Sequence, residues 1–245
     1  MSRLRLDYSK ALELELNKLI TGENGLRFYL QPIVFFKNRT LFAYEVLSRG
    51  ACNTCLQEIS PFDYAAEYSI GKQLDKVAFT DVFKVIDAFP GDTIFLNTYL
   101  SNLGALYEIL KKSKTTKKIA IEIDFSTELV DINSVLEKIN ALNRLDYVSF
   151  AIDDLGKYSL DKKLYAIILP KYLKVDICVT TGICDDFSKQ KALDDIILLS
   201  DEINAKLIIE GLEHREDAEY VKKQGVELAQ GNMFQKPLEY GFFKK

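Results

Sequence analysis

The chain has 245 residues, of which 48% are hydrophobic and 28% are charged. This balance is that of a soluble globular protein, excludes disorder as the main state, and suits one large domain. Acidic residues outnumber basic ones by 36 to 32, so a broad basic surface for duplex nucleic acid is not expected. No stretch approaches the roughly eighteen apolar residues of a membrane span, and the charged N-terminus is unlike a signal peptide. We therefore expect a cytoplasmic protein without a membrane partner.

The single histidine, His214, excludes more classes of site than any motif does. Catalytic triads, cysteine and histidine pairs, and two-histidine zinc sites would each require it. It stands where a helix is predicted to begin, which favours a surface or capping role. The glycine-rich phosphate-binding motifs of P-loop and dinucleotide-binding folds are absent, so neither fold is expected.

The first part of the chain predicts a helix followed by a β-hairpin. Apolar residues recur at helical spacing over 12–20, and Gly22 ends the pattern. Two apolar runs, 27–34 and 41–47, flank a polar turn at 37–39. This arrangement predicts two antiparallel strands.

A long helix is predicted over 61–89, beginning after Ser60 and ending before Pro90. Beyond it, short apolar strands alternate with helical or looped segments, at 93–97, 118–123, 148–153, 172–176, 206–210 and 227–230. Such repeated units indicate an α/β protein with a mostly parallel sheet, and their number favours a closed barrel. No linker interrupts the pattern. We therefore expect one domain over 1–245, with 1–26 forming an N-terminal helix packed on the barrel.

Polar side chains stand at the ends of these strands. They are Glu45, Asn97, Glu122, Asp153, Asp154, Lys174, Glu210 and Gln230. The carboxyl ends of parallel strands in a barrel meet at one rim, so residues far apart in sequence can share one site. Each residue alone also fits a helix cap or a turn, but glutamates are poor caps, and their repetition favours function.

This set of side chains predicts a metal site. Carboxylate and carboxamide oxygens without nearby histidine or thiolate suit Mg²⁺, Mn²⁺ or Ca²⁺ and not zinc or copper. The adjacent Asp153 and Asp154 can bridge two ions, and two ions about 3.5–4 Å apart are usual for in-line displacement at phosphorus. Lys174 would add a cation beside the carboxylates. The alternative is a lysine at the end of a half-exposed strand.

Several segments carry motifs in a specific order. They are 29–34 (YLQPIV), 44–49 (YEVLSR), Asn97, Glu122, 153–156 (DDLG), 174–176 (KVD), 210–213 (EGLE) and 230–238 (QGNMFQKPL). As a set they resemble the motifs of the EAL domain family of bacterial cyclic di-GMP phosphodiesterases, whose Glu-Ala-Leu motif corresponds to 45–47 in the segment 44–49. The resemblance runs from about Leu12 to the C-terminus.

The resemblance implies a (β/α)8 TIM-like barrel whose first strand is antiparallel, which agrees with the predicted hairpin. It implies hydrolysis of cyclic di-GMP to linear pGpG with two Mg²⁺ or Mn²⁺ ions. Cyclic di-GMP would be the partner, with no DNA or RNA duplex and no membrane. The family often pairs its barrels, which leaves a homodimer open.

The resemblance also implies roles for single residues. One ion would be held by Glu45, Asn97, Glu122 and Asp153, and the second by Asp153, Asp154 and Glu210. Lys174 would orient or activate the attacking water, and the catalytic group would also contain Glu45 and Glu210. Substrate would be bound by Gln31, Arg49 and Gln230, while Glu213 would support the site near the waters around the metals.

The chain departs from the family's pattern at three places. Phe125 stands where the family has a loop glutamate, the segment 157–160 is shorter than its counterpart, and Tyr99 replaces a small residue. The family's glutamate ties down the loop with the tandem aspartates, so phenylalanine there predicts weak metal affinity and low turnover. Two hypotheses stay open: a metal-dependent phosphodiesterase, or a catalytically weakened barrel acting as a cyclic di-GMP receptor or protein-interaction module.

Four cysteines follow strands that contribute to the predicted site. Cys52 and Cys55 follow the second strand, and Cys178 and Cys184 follow the strand that ends at 176. A redox or zinc-binding function is one interpretation. Their spacing differs from that of usual zinc sites, so four ordinary thiols in a reducing compartment are the favoured alternative.

Overall fold

The computed structural model describes residues 3–50, 60–65, 69–123, 132–157 and 162–243. Its centre is a barrel of eight strands: β1 (Leu26–Phe35), β2 (Leu41–Gly50), β3 (Thr93–Asn97), β4 (Lys118–Ile123), β5 (Val148–Leu155), β6 (Tyr172–Val175), β7 (Lys206–Ile209) and β8 (Leu228–Ala229). A further short strand, β9 (Leu238–Glu239), pairs with β1. The strands predicted at 93–97 and 118–123 have those bounds, and the others differ by one to three residues at an end.

Helices connect most of the strands. They are α1 (Arg3–Thr21), α2 (Pro61–Ala65), α3 (Gly71–Val82), α4 (Leu103–Leu110), α5 (Ile132–Asn143), α6 (Lys162–Ile168), α7 (Ile177–Thr180), α8 (Phe187–Ile203) and α9 (Arg215–Lys223). Short 3₁₀ turns lie at Ile86–Ala88, Leu100–Asn102, Ile183–Asp185 and Tyr240–Phe243. Within the described ranges, every helix is too short or too polar to cross a membrane.

The sheet closes on itself through the first strand. β2 to β8 pair in chain order and run parallel, while β1 lies between β8 and β2 and is antiparallel to both. Gln31 of β1 pairs with Glu45 of β2, and Val34 pairs with Ala229 of β8. The predicted fold class, a (β/α)8 TIM-like barrel with an antiparallel first strand, is confirmed.

The barrel interior is filled by one layer of buried side chains, with one residue from each strand. The layer consists of Ile33, Ala43, Phe95, Ala120, Ala151, Tyr172, Ile208 and Leu228. The three alanines leave room for the two rings, whose centroids are 4.9 Å apart. This packed layer is the floor on which the candidate site rests.

The predicted N-terminal helix is present as α1. Its Leu12, Leu16 and Leu19 are buried in a small apolar cluster with Ala65 of α2 and Leu74 of α3. The three leucines are spaced so that they share one helix face. α1 therefore packs against the helices that follow β2.

The single helix predicted over 61–89 is wrong. α2 ends at Ala65, and α3 covers only Gly71–Val82. Ser69 has a φ of +56°, a left-handed conformation that an α-helix cannot contain. After α3, a 3₁₀ turn at Ile86–Ala88 leads to Pro90. Residues on both sides of the first break are buried in the cluster with α1, and residues on both sides of the second are buried against the barrel. The apolar spacing therefore continues across both breaks and hides them in the sequence.

Candidate active site

The polar residues predicted at the strand ends lie in the layer directly above the barrel floor. For each strand, the polar residue is two positions nearer the rim than the interior residue, and Glu210 and Gln230 directly follow the last residues of β7 and β8. The set is Gln31, Glu45, Asn97, Glu122, Asp153, Lys174, Glu210 and Gln230. Side chains alternate between the two faces of a strand, so a spacing of two keeps both residues on the inner face. The register agrees, because Gln31 pairs with Glu45 and Asn97 with Glu122.

Lys174 lies at the centre of this layer and is only 1% exposed. Its Nζ is 2.6 Å from Glu122 Oε1 and 2.7 Å from Glu210 Oε1. Longer contacts of 3.4 Å reach Glu45 Oε2 and Asp153 Oδ1. Lys174 is therefore a buried cation among four carboxylates, not a lysine at a half-exposed strand end.

The protonation of this cluster reflects burial and crowding. Burial, together with repulsion from Glu45, holds the pKa of Glu122 well above its usual range, although Lys174 opposes them. Burial and the neighbouring Asp153 likewise hold the pKa of Glu210 well above its usual range, although Lys174 opposes them. Burial alone would lower the pKa of Lys174, but the surrounding carboxylates outweigh it, and this pKa lies well above its ordinary value. The cluster thus contains more carboxyl groups than one lysine can hold in the charged form, so charging all of them requires further positive charge.

Glu45 is fixed by side-chain amides on both oxygens. Asn97 Nδ2 donates to Oε1 at 3.0 Å, and Gln230 Nε2 donates to Oε2 at 2.5 Å. The same Gln230 nitrogen donates to Gln31 Oε1 at 3.1 Å. Burial acts to raise the pKa of Glu45, but Lys174 and these amides outweigh it, and the pKa is lowered. Glu45 is therefore held as a carboxylate in a fixed orientation.

Asp153 and Asp154 occupy an irregularity near the end of β5. The pairing of β5 with β6 shifts between Ile152 and Leu155, and Asp154 has a φ of +57°. Successive side chains on a regular strand point to opposite faces, whereas a bulge can turn both toward one site. Oxygen atoms of Asp153, Asp154 and Glu210 indeed lie within 4.8 Å of one another. Burial and the adjacent Asp153 raise the pKa of Asp154 to about 6.

Three observations indicate that the side chains at the rim suit divalent cations. The oxygens of Asp153, Asp154 and Glu210 are close enough to share an ion. Glu122 Oε2 and Gln230 Oε1 are buried acceptors for which the described residues supply no hydrogen-bond donor. Finally, Lys174 contacts four carboxylates at once, so the cluster has more acidic groups than this ammonium group can balance, and divalent cations would supply further positive charge. Oxygen donors of this kind suit Mg²⁺ or Mn²⁺.

A cavity of about 350 Å³ opens beside the carboxylates. Arg49, near the end of β2, lines it, and its Nη1 donates to the carbonyl oxygen of Ser48 at 2.9 Å. The other polar residues at the rim side of this cavity include Glu45, Asn97, Asp153 and Asp154. The cavity therefore combines an arginine, which suits a phosphate, with carboxylates, which suit cations.

Two residues singled out in the sequence are exposed. Glu213 is exposed, and its Oε1 accepts a hydrogen bond from Asn232 Nδ2 at 3.0 Å. His214 is exposed at the N-cap position of α9 and makes no side-chain capping bond. The interpretation of His214 as a surface residue at a helix start is confirmed.

One buried residue beside the site was missed in the sequence. Asp75 of α3 is 2% exposed, lines the same cavity, and accepts three hydrogen bonds from the turn after β3. Its signal was its position among the apolar residues of α3, between Leu74 and Ala78, where a solvated aspartate would not lie.

Some predictions fall outside the described residues. Phe125, the segment 158–160, Cys52 and Cys55 are among them. Cys178 and Cys184 are described, and both are free thiols. Burial and the neighbouring Asp176 raise the pKa of Cys178 to about 11, so this thiol is a weak nucleophile at neutral pH.

Comparison with known proteins identifies the family to which this sequence is similar. A model of the EAL domain matches residues 13–237. PdeD of Escherichia coli (strain K12), named as a probable cyclic di-GMP phosphodiesterase, is 24% identical over 98% of this chain and 46% of its own length. The chain thus spans about half the length of this relative.

Solved EAL structures share the fold. The EAL enzyme Bd1971, bound to cAMP and cyclic di-GMP, has a TM-score of 0.79 at 21% identity, over 99% of this chain and 70% of its own. BlrP1 of Klebsiella pneumoniae, in complex with manganese and cyclic di-GMP, has a TM-score of 0.75 at 21% identity, over 88% of this chain and 56% of its own. Since the family model extends over nearly all of the barrel and every residue of the site layer, the chain belongs to the EAL domain family.

Proposed function

We propose that this chain hydrolyses cyclic di-GMP to linear pGpG in a reaction that requires Mg²⁺ or Mn²⁺. The observation that carries the proposal is the buried Lys174 among four carboxylates, beside a cavity that also contains Arg49. Two further facts support it: the relative PdeD is named as a probable cyclic di-GMP phosphodiesterase, and BlrP1 forms complexes with cyclic di-GMP and calcium or manganese.

The carboxylates would hold two ions. Glu45, Asn97, Glu122 and Asp153 would bind one, and Asp153, Asp154 and Glu210 would bind the other. Two such ions, when bound, lower the pKa of a water molecule and neutralise charge that develops on the phosphate. The amides that fix Glu45 would keep its oxygens in place as ligands.

The remaining residues of the layer would handle water and substrate. Lys174, held at 2.6 Å from Glu122 and 2.7 Å from Glu210, would orient the attacking water. Arg49 would bind a phosphate, and Gln31 and Gln230 would contact the nucleotide. The water oxygen would lose a proton to solvent and form a bond to phosphorus, while the bond between phosphorus and one ribose oxygen breaks. The released ribose oxygen would take up a proton from solvent.

Incubation with cyclic di-GMP and Mn²⁺, followed by chromatography of the nucleotides, tests this proposal. We expect pGpG to form, and EDTA to prevent it. Glu45→Ala and Asp153→Asn should each abolish turnover while the circular dichroism spectrum stays that of the wild type. Hydrolysis that continues unchanged in EDTA, or in either variant, would contradict the metal-dependent reaction.

A second candidate function is a cyclic di-GMP receptor that has lost efficient hydrolysis. The observation that favours it is Phe125, because phenylalanine can neither accept a hydrogen bond nor carry the charge of the family's glutamate. A misplacement of about 1 Å at a reacting centre costs on the order of 100-fold in rate. We therefore expect low turnover, activated only at high Mn²⁺, and a gain in turnover or metal affinity in Phe125→Glu. Nucleotide binding in calorimetry, without pGpG at any Mn²⁺ concentration, would favour the receptor.

A further inference from the structure

We propose that Asp75 is a positioning residue of the site, which fixes the turn after β3 so that Asn97 meets Glu45. The proposal rests on the proposed function, because it assigns Asp75 to the binding of the metal ions. Asp75 itself belongs to α3 and lies outside the barrel strands. It therefore acts through the turn that it holds.

Asp75 is tied to this turn by three hydrogen bonds that converge on one oxygen. Its Oδ2 accepts from Thr98 Oγ1 at 2.9 Å, from the backbone N–H of Tyr99 at 3.0 Å and from Asn102 Nδ2 at 2.8 Å. The side chain is buried, so these bonds compensate for the loss of water around a charged group. A neutral acceptor would hold three donors less strongly.

The turn begins immediately after Asn97. Asn97 is the last residue of β3, and the next residue, Thr98, also donates its backbone N–H to the carbonyl oxygen of Glu122 at 3.1 Å. The turn is therefore held from two sides, by α3 and by the end of β4. Between them Asn97 donates from Nδ2 to Glu45 Oε1 at 3.0 Å. Its side-chain oxygen would then serve as the metal ligand.

Purely structural demands do not explain an aspartate at this position. The other buried side chains of α3 include Leu74, Phe79 and Val82, which already anchor the helix to its neighbours. The three hydrogen bonds to Asp75 Oδ2 all come from the five residues that follow Asn97, at Thr98, Tyr99 and Asn102. Asp75 thus holds the turn that directly follows Asn97, a residue of the site layer.

The test measures Mn²⁺ affinity by calorimetry without nucleotide, in the wild type and in Asp75→Asn. We expect affinity to fall by about 10- to 100-fold, as for other residues that orient metal ligands, with a similar loss in kcat/KM. Asp217→Asn is the matched control. Asp217 is also buried and also accepts hydrogen bonds from a turn, at the backbone N–H of Gly182 and Cys184, far along the chain from Asn97. The Asp217→Asn variant should be less stable than the wild type but should bind Mn²⁺ with the same affinity.

A double-mutant cycle separates positioning from a general loss of structure. If Asp75 acts through Asn97, Asp75→Asn should weaken Mn²⁺ affinity much less in an Asn97→Ala background than in the wild type. Should Asp75→Asn fail to fold by circular dichroism, Thr98→Val removes one of the three donors and should give a smaller loss of the same kind.

Three results can be told apart. Unchanged Mn²⁺ affinity in Asp75→Asn, or equal losses in the two backgrounds, would overturn the positioning role. Tight Mn²⁺ binding by the wild type without any pGpG would contradict the proposed hydrolysis but leave the positioning role standing. A wild type that binds no Mn²⁺ would overturn both.

Discussion

At the scale of single residues, the buried carboxyl groups of the site lower the stability of the metal-free fold. Glu122 is fully buried, and it shares its contact with Lys174 with three other carboxylates. One of its oxygens has no hydrogen-bond donor among the described residues. Buried charge without full compensation destabilises a fold. The same charge is what a divalent cation requires, so stability of the metal-free protein and metal affinity oppose each other at this position.

This opposition leads to a prediction for Glu122→Gln. Without metal, the variant should unfold at the same temperature as the wild type or higher, because an amide removes repulsion while Lys174 keeps Glu210 at 2.7 Å. With Mn²⁺ and cyclic di-GMP, turnover should fall by more than the roughly 10- to 100-fold typical of indirect supports. Thermal unfolding and nucleotide chromatography measure the two effects.

The exposed Glu219→Gln on α9 serves as the control for this variant, and neither property should change. A metal-free unfolding temperature more than about 4 °C below the wild type, which is about 1 kcal/mol or more for a chain of this size, would contradict the prediction.

Most of the site layer could be predicted from the sequence, because each polar residue ends an apolar run. The burial of Lys174 could not, since the spacing of Leu173, Lys174 and Val175 also fits a half-exposed strand. The role of Asp75 was hidden for a different reason: its donors lie more than twenty residues away, and sequence spacing does not show which turn a helix faces.

At the scale of elements, the features that the sequence did not predict depend on the backbone conformations of single residues. The bulge at the end of β5 depends on Asp154 at a φ of +57°, and the break before α3 includes Ser69 at +56°. Both are non-glycine residues in the left-handed region, which is uncommon for any non-glycine residue; aspartate is enriched there, but most aspartates are not left-handed, and serine gives no such signal. The long predicted helix was wrong because such a residue interrupts an otherwise continuous apolar pattern.

A glycine directly after Glu210 gives an element-scale prediction. Gly211 has a φ of +64°, and a Cβ there would lie 2.5 Å from Cβ of Ile177. Gly211→Ala should therefore combine backbone strain of about 1–2 kcal/mol with a steric cost of about 1–3 kcal/mol, and should displace Glu210. Gly225→Ala is the matched control, with a φ of +85° and open space around it.

Urea unfolding and turnover assays measure both variants. Gly211→Ala should lose more stability than Gly225→Ala and should lose turnover, whereas Gly225→Ala should keep its turnover. Equal losses of stability in the two alanine variants would show that the contact with Ile177 relaxes freely.

Asp217 gives a prediction for pH. Burial acts to raise its pKa, but the backbone N–H groups of Gly182 and Cys184 outweigh it, and the pKa in the folded chain is lowered. A lowered carboxyl pKa stabilises the fold above the unfolded-state value of about 3.9, and this contribution is lost as the pH falls through the folded-state value. Asp217→Asn should therefore cost on the order of 1–3 kcal/mol near pH 7 and progressively less as the pH falls below about 4.

Denaturant unfolding at a series of pH values measures this difference between wild type and Asp217→Asn. Asp194→Asn, at an exposed position of α8, should show no such loss. A difference that stays constant from pH 7 to the acid limit would show that the charge of Asp217 contributes nothing.

At the scale of the whole molecule, the closed barrel brings residues that are far apart in the sequence close together in space. Each of the eight strands contributes one residue to the floor and one to the site layer, from Gln31 to Gln230. The site is therefore complete only when the sheet has closed between β1 and β8. Ligands that bind this layer bind the closed barrel and not the unfolded chain, so they must stabilise the entire fold.

The last prediction follows from this linkage. At a concentration of 100 times its Kd, an ion stabilises the fold by about 2.7 kcal/mol per site, which corresponds to a rise of about 5–10 °C in unfolding temperature for a chain of this size. Mn²⁺ should therefore raise the unfolding temperature, and KCl at equal ionic strength should not. Asp153→Asn should lose most of the rise, because Asp153 is assigned to both ions. Ca²⁺ should also stabilise the fold but inhibit hydrolysis, since it prefers longer bonds and more ligands than Mg²⁺. No rise with Mn²⁺, or an equal rise in Asp153→Asn, would contradict a cation site at this rim.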